Sequence, residues 1–183
     1  MTAMMAHREA GKVPDVVRLI INGRAILARR RMVGELQVIG QSIQVADSAW
    51  VDEVPPLPVT VENDAYPVYS YEWSHARGPI SVCVVIPFRP QGWATTRRLR
   101  IVNDIRPDLT KGIIVDTSEI TIQSGNKLIL PSGLGDGYYP IFENRNLGIQ
   151  TQSLVIDFKV WEKRNYGVGH YTFDEYGLPS IEE

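Results

Sequence analysis

Turn-forming residues recur along this 183-residue chain about every eight to twelve positions, and the stretches between them are too short for packed helices. Asn22-Gly23 tolerates positive φ at both positions and suits a two-residue type I′ hairpin turn between Val16–Ile21 and Arg24–Ala28. Gly40-Gln41 suits a second tight turn, between Leu36–Ile39 and Ser42–Ala46. Ser124-Gly125-Asn126 reads as a three-residue hairpin loop between Ile120–Gln123 and Lys127–Leu130. Only Thr95–Ile105 could form a helix, and its Arg-rich pattern fits an exposed strand about as well.

The segments between turns read as strands. In Tyr66–Trp73, Tyr69, Tyr71 and Trp73 alternate with Val68, Ser70 and Glu72. Ile80–Ile86 is almost wholly apolar and β-branched, as a strand covered on both faces would be. From Ser153 to Trp161, Leu154, Ile156, Phe158 and Val160 share a face opposite Asp157 and Lys159. Three prolines between Val54 and Pro58 remove backbone donors, which makes that stretch a connection or a sheet edge. The expected fold is all-β: a single-domain antiparallel β-sandwich with at most one short helix. It should span residues 13–176, with residues 1–12 and 177–183 as flexible ends.

A hydrophobic fraction of 44% and a charged fraction of 22% exclude a disordered or fibrous chain. The formal net charge of -2 supplies no overall field toward nucleic acid, so nucleic acid is not an expected partner. One cysteine, Cys83, excludes an intrachain disulfide and a zinc site of several thiolates. Within an apolar strand, it reads as an inert core thiol. Met1–Glu9 carries no apolar signal region, and Gly78–Phe88, broken by Pro79 and Pro87, is far short of the ~20 residues of a membrane helix. A cytoplasmic protein with no membrane partner is the expectation. The charge is nonetheless uneven. Seven basic residues up to Arg31 face only Glu9 and Asp15, a net +5 that leaves -7 for the remainder. Arg29-Arg30-Arg31 is the densest point, and a short basic arm there could touch RNA or an acidic partner. A solvated strand end that keeps a sheet edge from pairing is the simpler account, since no interleaved aromatics offer a stacking platform.

The most distinctive segment is Ser132-Gly133-Leu134-Gly135-Asp136-Gly137-Tyr138-Tyr139-Pro140-Ile141. Its glycines permit positive φ and close approach, and the aromatic pair then enters a strand. The Asp136 carboxylate can cap its own turn or face a small ligand.

This segment resembles the signature of an uncharacterised, mainly bacterial domain family of unknown function, Ser-Gly-x-Gly-Asp-Gly-x-Tyr-Pro-Val near the C-terminus. The family's following strand ends in Asp-Phe, and Leu154-Val155-Ile156-Asp157-Phe158 stands in that place. Upstream, Val45-Ala46-Asp47-Ser48, Asp64-Ala65-Tyr66-Pro67-Val68 and Val115-Asp116-Thr117-Ser118 resemble three further family segments. Ser48, Asp64 and Ser118 stand there in place of a proline and two glycines. The resemblance implies a fold family rather than a reaction, and partners that are other proteins, for example toxins to be neutralised.

Ligand-binding candidates are Asp47, Asp116, Asp136 and Tyr139. With Asp157, the three aspartates invite a carboxylate-based or metal-assisted hydrolase if the fold brings them together. No Asp-x-Asp-x-Asp-Gly calcium spacing, His-Glu-x-x-His pair, Gly-x-Ser-x-Gly elbow or phosphate-cradling Gly-x-x-x-x-Gly-Lys occurs, so separate turn caps account for the acids, and no metal, cofactor or catalytic residue is assigned. His7, His75 and His170 are scattered. Tyr69, Tyr71 and Trp73, with Trp50, Trp93, Tyr138, Tyr139 and Trp161 spread among the other strands and loops, could present rings to a sugar or a protein, although filling the core is the simpler account of the first three. The reading that follows is a non-enzymatic binding or interaction module with another protein as partner. A hydrolase and a carbohydrate-binding jelly roll are the alternatives.

Overall fold

The computed structural model describes residues 13, 15–21, 24–75, 78–89, 107–133, 135–145, 150–158, 160, 171–173 and 179–181. The described strands are β1 (Val16–Ile21), β2 (Arg24–Gln37), β3 (Ser42–Asp47), β4 (Leu57–Pro58), β5 (Ala65–His75), β6 (Gly78–Pro87), β7 (Pro107–Val115), β8 (Glu119–Gln123), β9 (Lys127–Pro131), β10 (Gly137–Arg145), β11 (Thr151–Asp157), β12 (Tyr171–Phe173) and β13 (Pro179–Ile181). A 3₁₀ turn covers Val51–Glu53. All pairings are antiparallel. A seven-stranded sheet runs β1-β2-β5-β6-β11-β10-β7, a four-stranded sheet runs β4-β3-β8-β9, and β12 pairs with β13. The protein is thus an all-β sandwich. The possible helix at Thr95–Ile105 and the turn residues Asn22-Gly23 lie outside the described residues.

The core lies between the two larger sheets. Leu36, Val68, Val84, Ile86, Ile156, Ile141 and Ile113 from the large sheet form one buried cluster with Ile43, Val45, Ile120, Ile122 and Leu130 from the small one. Alternation accounts for most of this. Positions 80–88 are an exception, because every residue from Ile80 to Phe88 is buried, as their continuous apolar sequence requires. Cys83 is one of these, fully sequestered. Burial, and next the neighbouring Asp157 carboxylate, push its thiol well above the ordinary range. Tyr69, Tyr71 and Trp73 do share one side of β5. Tyr71 is fully buried, and the other two are half-buried.

Two corners fix the small sheet over the large one. At the first, the chain leaves β2 and turns through Gly40 and Gln41, both with positive φ. There the β8–β9 tip substitutes for a strand. The Asn126 carboxamide accepts from the Gln37 amide at 2.7 Å and donates to the Glu35 carbonyl at 2.9 Å, and the Gly125 amide donates to the Gln37 carbonyl at 2.6 Å. Ser124 completes the seam by donating to the Ser42 carbonyl at 2.8 Å. The second corner, where β7 passes into β8, holds the candidate site.

Across the large sheet, the Arg29-Arg30-Arg31 run lies inside the long strand β2, not at a strand end. Arg31 pairs with Glu72 at 2.8 Å, while Arg30 lies 4.9 Å over the Tyr69 ring, pairs with Asp15 and donates to the Val13 carbonyl at 2.7 Å. Arg29 stays exposed.

Candidate functional site

Three connections meet at the second corner: the turn after β3, the β7–β8 turn over residues 116–118, and the β9–β10 loop over residues 132–136. Asp47 joins the first two. It shares an inward face with Ile43 and Val45, so its carboxylate enters the end of the core, where an unpaired charge would be costly. Four hydrogen-bond donors resolve this. The Ala49 amide donates to Oδ1 at 2.7 Å, and the amides of Asp116 and Thr117 donate to Oδ2 at 2.6 and 3.1 Å. The Thr117 hydroxyl is a longer fourth donor at 3.4 Å. Burial alone would raise the Asp47 pKa, but the amides of Ala49, Asp116 and Thr117 together outweigh it and hold the carboxyl below the ordinary value.

The third connection is tied by side chains other than the expected one. The Ser132 amide donates to the Ser118 carbonyl at 2.9 Å, and its hydroxyl donates to the Gly135 carbonyl at 3.1 Å. The Tyr139 hydroxyl donates to the same Gly135 carbonyl at 2.6 Å, while its ring meets Phe158 edge-on at 5.2 Å between centroids. Tyr139 is therefore a buried brace of the loop. Asp136, read as the loop's own cap, is exposed, and its carboxylate makes no hydrogen bond among the described residues. Gly133 carries the tightest geometry. Its φ is 75°, and a Cβ there would lie 2.8 Å from both the Ser81 carbonyl oxygen and the Phe158 Cβ.

The structure thus brings Asp47, Asp116 and Asp136 to one end of the sandwich but gives them different roles. The Asp47 carboxylate is committed to backbone amides. Asp116 contributes its amide, and its side chain is exposed, as is that of Asp136. Asp157 is buried opposite Cys83 in the β6–β11 ladder, beside the Phe158 that packs on the loop. No group of three or more His, Cys, Asp or Glu among the described residues is placed to hold a metal ion.

Tyr138 and Trp50, read from the sequence only among the aromatic rings spread over strands and loops, were not singled out as site residues. Tyr138 opposes Ile114 across the β10–β7 ladder, and both are exposed, at 51% and 68%. The Tyr138 ring lies over Gly112, where any Cβ would meet it at 1.8 Å, so the absent side chain fixes the ring in place. Alternation from Gly137 onward would have separated outward Tyr138 from inward Tyr139. Trp50, in the turn closed by its amide on the Asp47 carbonyl at 3.0 Å, is exposed as well. A buried polar cluster was also missed. Glu143 accepts from Thr151 at 2.6 Å and from Arg145 at 2.9 Å, and Thr151 in turn accepts from the Thr60 amide at 2.9 Å. An acid inside the apolar β10 sequence was its one visible signal.

No protein-family model, no curated protein and no solved structure matches this chain.

Proposed function

We propose that this protein is a non-enzymatic binding module that engages another protein through the loop end of its sandwich, with Asp116, Asp136 and Tyr138 as contact residues. The observation that carries the reading is the fate of Asp47: the most enclosed of the three convergent carboxylates is committed to backbone amides, so the acids left at the surface lack a buried acid–base companion. What remains outward is an aromatic ring held over Gly112 beside exposed carboxylates, a composition suited to a basic, partly apolar partner surface.

A nona-arginine peptide titrated at low ionic strength is the direct test, read by backbone NMR. Shifts concentrated at Asp116, Asp136 and Tyr138 support the reading, and unperturbed resonances there overturn it. The convergence of the three aspartates keeps a hydrolase as the rival reading. Chromogenic ester, phosphate and glycoside substrates test it: turnover that falls by about 100-fold or more in Asp116→Asn or Asp136→Asn would establish acid–base chemistry and displace the binding reading.

A further inference from the structure

The edge of the large sheet that runs into the loop end is β7, and among the described residues no strand pairs with its outer side. It is nine residues long, and from Leu109 to Val115 it holds no proline and a single charge, Lys111, so it lacks the usual devices that keep an edge from pairing. The edges of the small sheet are blunter: β4 has two residues, and the β8–β9 tip is tied to β2. The last ladder pair of the β7 edge is Val115↔Gly137, so Asp116 and Asp136 occupy the next position on either strand. Both carboxylates are exposed, and the Asp47 latch fixes the first of them through its amide. One pair inward, Ile114 and Tyr138 face solvent, and the Tyr138 ring, lying over Gly112, carries the apolar surface of β10 out to the edge strand. Asp52, Glu53 and Glu119 are exposed in the neighbouring turns. Segments 47–53, 116–119 and 132–139 hold no Lys or Arg, and none of their exposed acids makes an ion pair among the described residues.

We infer that the partner engaged by the loop end is an extended segment of another protein, basic at its N-terminal end, that adds to β7 as an eighth strand. The inference rests on the binding reading above and names the form and chemistry of its partner. The edge supplies backbone N–H and C=O groups that bind any extended chain, and the side chains beside them set the preference. Every pairing in this sheet is antiparallel, and an antiparallel addition begins beside Val115, so the first residues of the segment meet the Asp116 and Asp136 carboxylates. Further along, the residue opposite Ile114 shares its face and covers an apolar side chain that the free protein leaves mostly in solvent. A β-branched residue suits that position. A folded basic surface would use the carboxylates and leave the β7 backbone untouched, whereas an added strand uses both.

An end-blocked octapeptide with lysines in its N-terminal half and valine and threonine in its C-terminal half tests this, titrated into the full chain at about 50 mM salt and read by amide hydrogen exchange. The β7 amides that point away from β10 should exchange fast in the free protein and slow about tenfold or more with the peptide bound, while those of β1 stay unchanged. Binding should weaken about tenfold when the peptide backbone is N-methylated, when its order is reversed, or when the protein carries Asp116→Lys with Asp136→Lys. Both positions are exposed, and unchanged melting curves will show that the variant stays folded. Unaltered β7 exchange at saturating peptide overturns the inference, as does an N-methylated or reversed peptide that binds equally well. Nona-arginine separates the two claims. Its shifts at Asp116, Asp136 and Tyr138, without protection of β7 by the octapeptide, leave the binding reading standing and remove the added strand, whereas the absence of both removes both.

Discussion

Asp47 is the residue on which the second corner depends, and its removal gives the most informative stability measurement. Asp47→Ala withdraws the acceptor from three amides, two of them in a turn about seventy residues away in sequence. A hydrogen bond to a charged group contributes about 1.5–3 kcal/mol, and a neutral one about 1. Asp116 and Thr117 are exposed, so water can recover part of the loss at their amides. A cost of about 2–4 kcal/mol follows, a large share of the 5–15 kcal/mol typical of a domain. Asp47→Asn distinguishes this latch from an ordinary cap, where asparagine serves nearly as well as aspartate. Its single acceptor oxygen can satisfy Ala49 or the Asp116–Thr117 pair, and its NH₂ then faces the other as donor against donor. The expected cost is about 1.5–3 kcal/mol, or a fall in Tm of roughly 4–10 °C at this size. Urea unfolding at pH 7 measures it, with Asp116→Asn, whose side chain is exposed, as a control expected within about 0.5 kcal/mol of the parent. The pH dependence has a definite sign. A carboxyl held below its unfolded value stabilises the fold above about pH 4, and the contribution disappears as pH falls through the folded value. The gap between parent and Asp47→Asn should therefore close in acid. An Asp47→Asn protein as stable as the parent at pH 7 would refute the latch.

Three further outcomes are expected. Gly133→Ala should cost about 2 kcal/mol or more, because positive φ and a 2.8 Å approach to the Ser81 carbonyl act together, while Asp136→Ala should stay within about 0.5 kcal/mol; thermal melts giving the reverse order would remove the loop's structural account. Tyr139→Phe should lose about 1 kcal/mol with its bond to the Gly135 carbonyl, read by urea unfolding, and a neutral result would show that the hydroxyl is no brace. Cys83 should resist a thiol reagent such as dithionitrobenzoate in the native protein and react fully in denaturant; fast native labelling would contradict its burial.

What the sequence determined by itself was local. Ser124-Gly125-Asn126 closes a hairpin whose two strands are sequence neighbours, so turn chemistry was enough to find it. Ile80–Ile86 reads as buried on both faces because its apolar run has no polar alternation to offer water. The tertiary structure decided everything that depends on distant pairing. Asp47 could be marked as an acid at a strand end, but its partners are amides, which every residue but proline carries, so no side-chain pattern could name Asp116 and Thr117. Tyr138 and Tyr139 are chemically the same, and only the pairing of β10 with β7 and the packing of Phe158 put one ring into solvent and the other into the core. In the arginine triplet, likewise, the chain composition is uniform. The strand pleat and the crossing of Val13 and Asp15 pair Arg30 with Asp15 over Tyr69, Arg31 with Glu72, and leave Arg29 in solvent, because alternation fixes sides while only the folded neighbours fix partners.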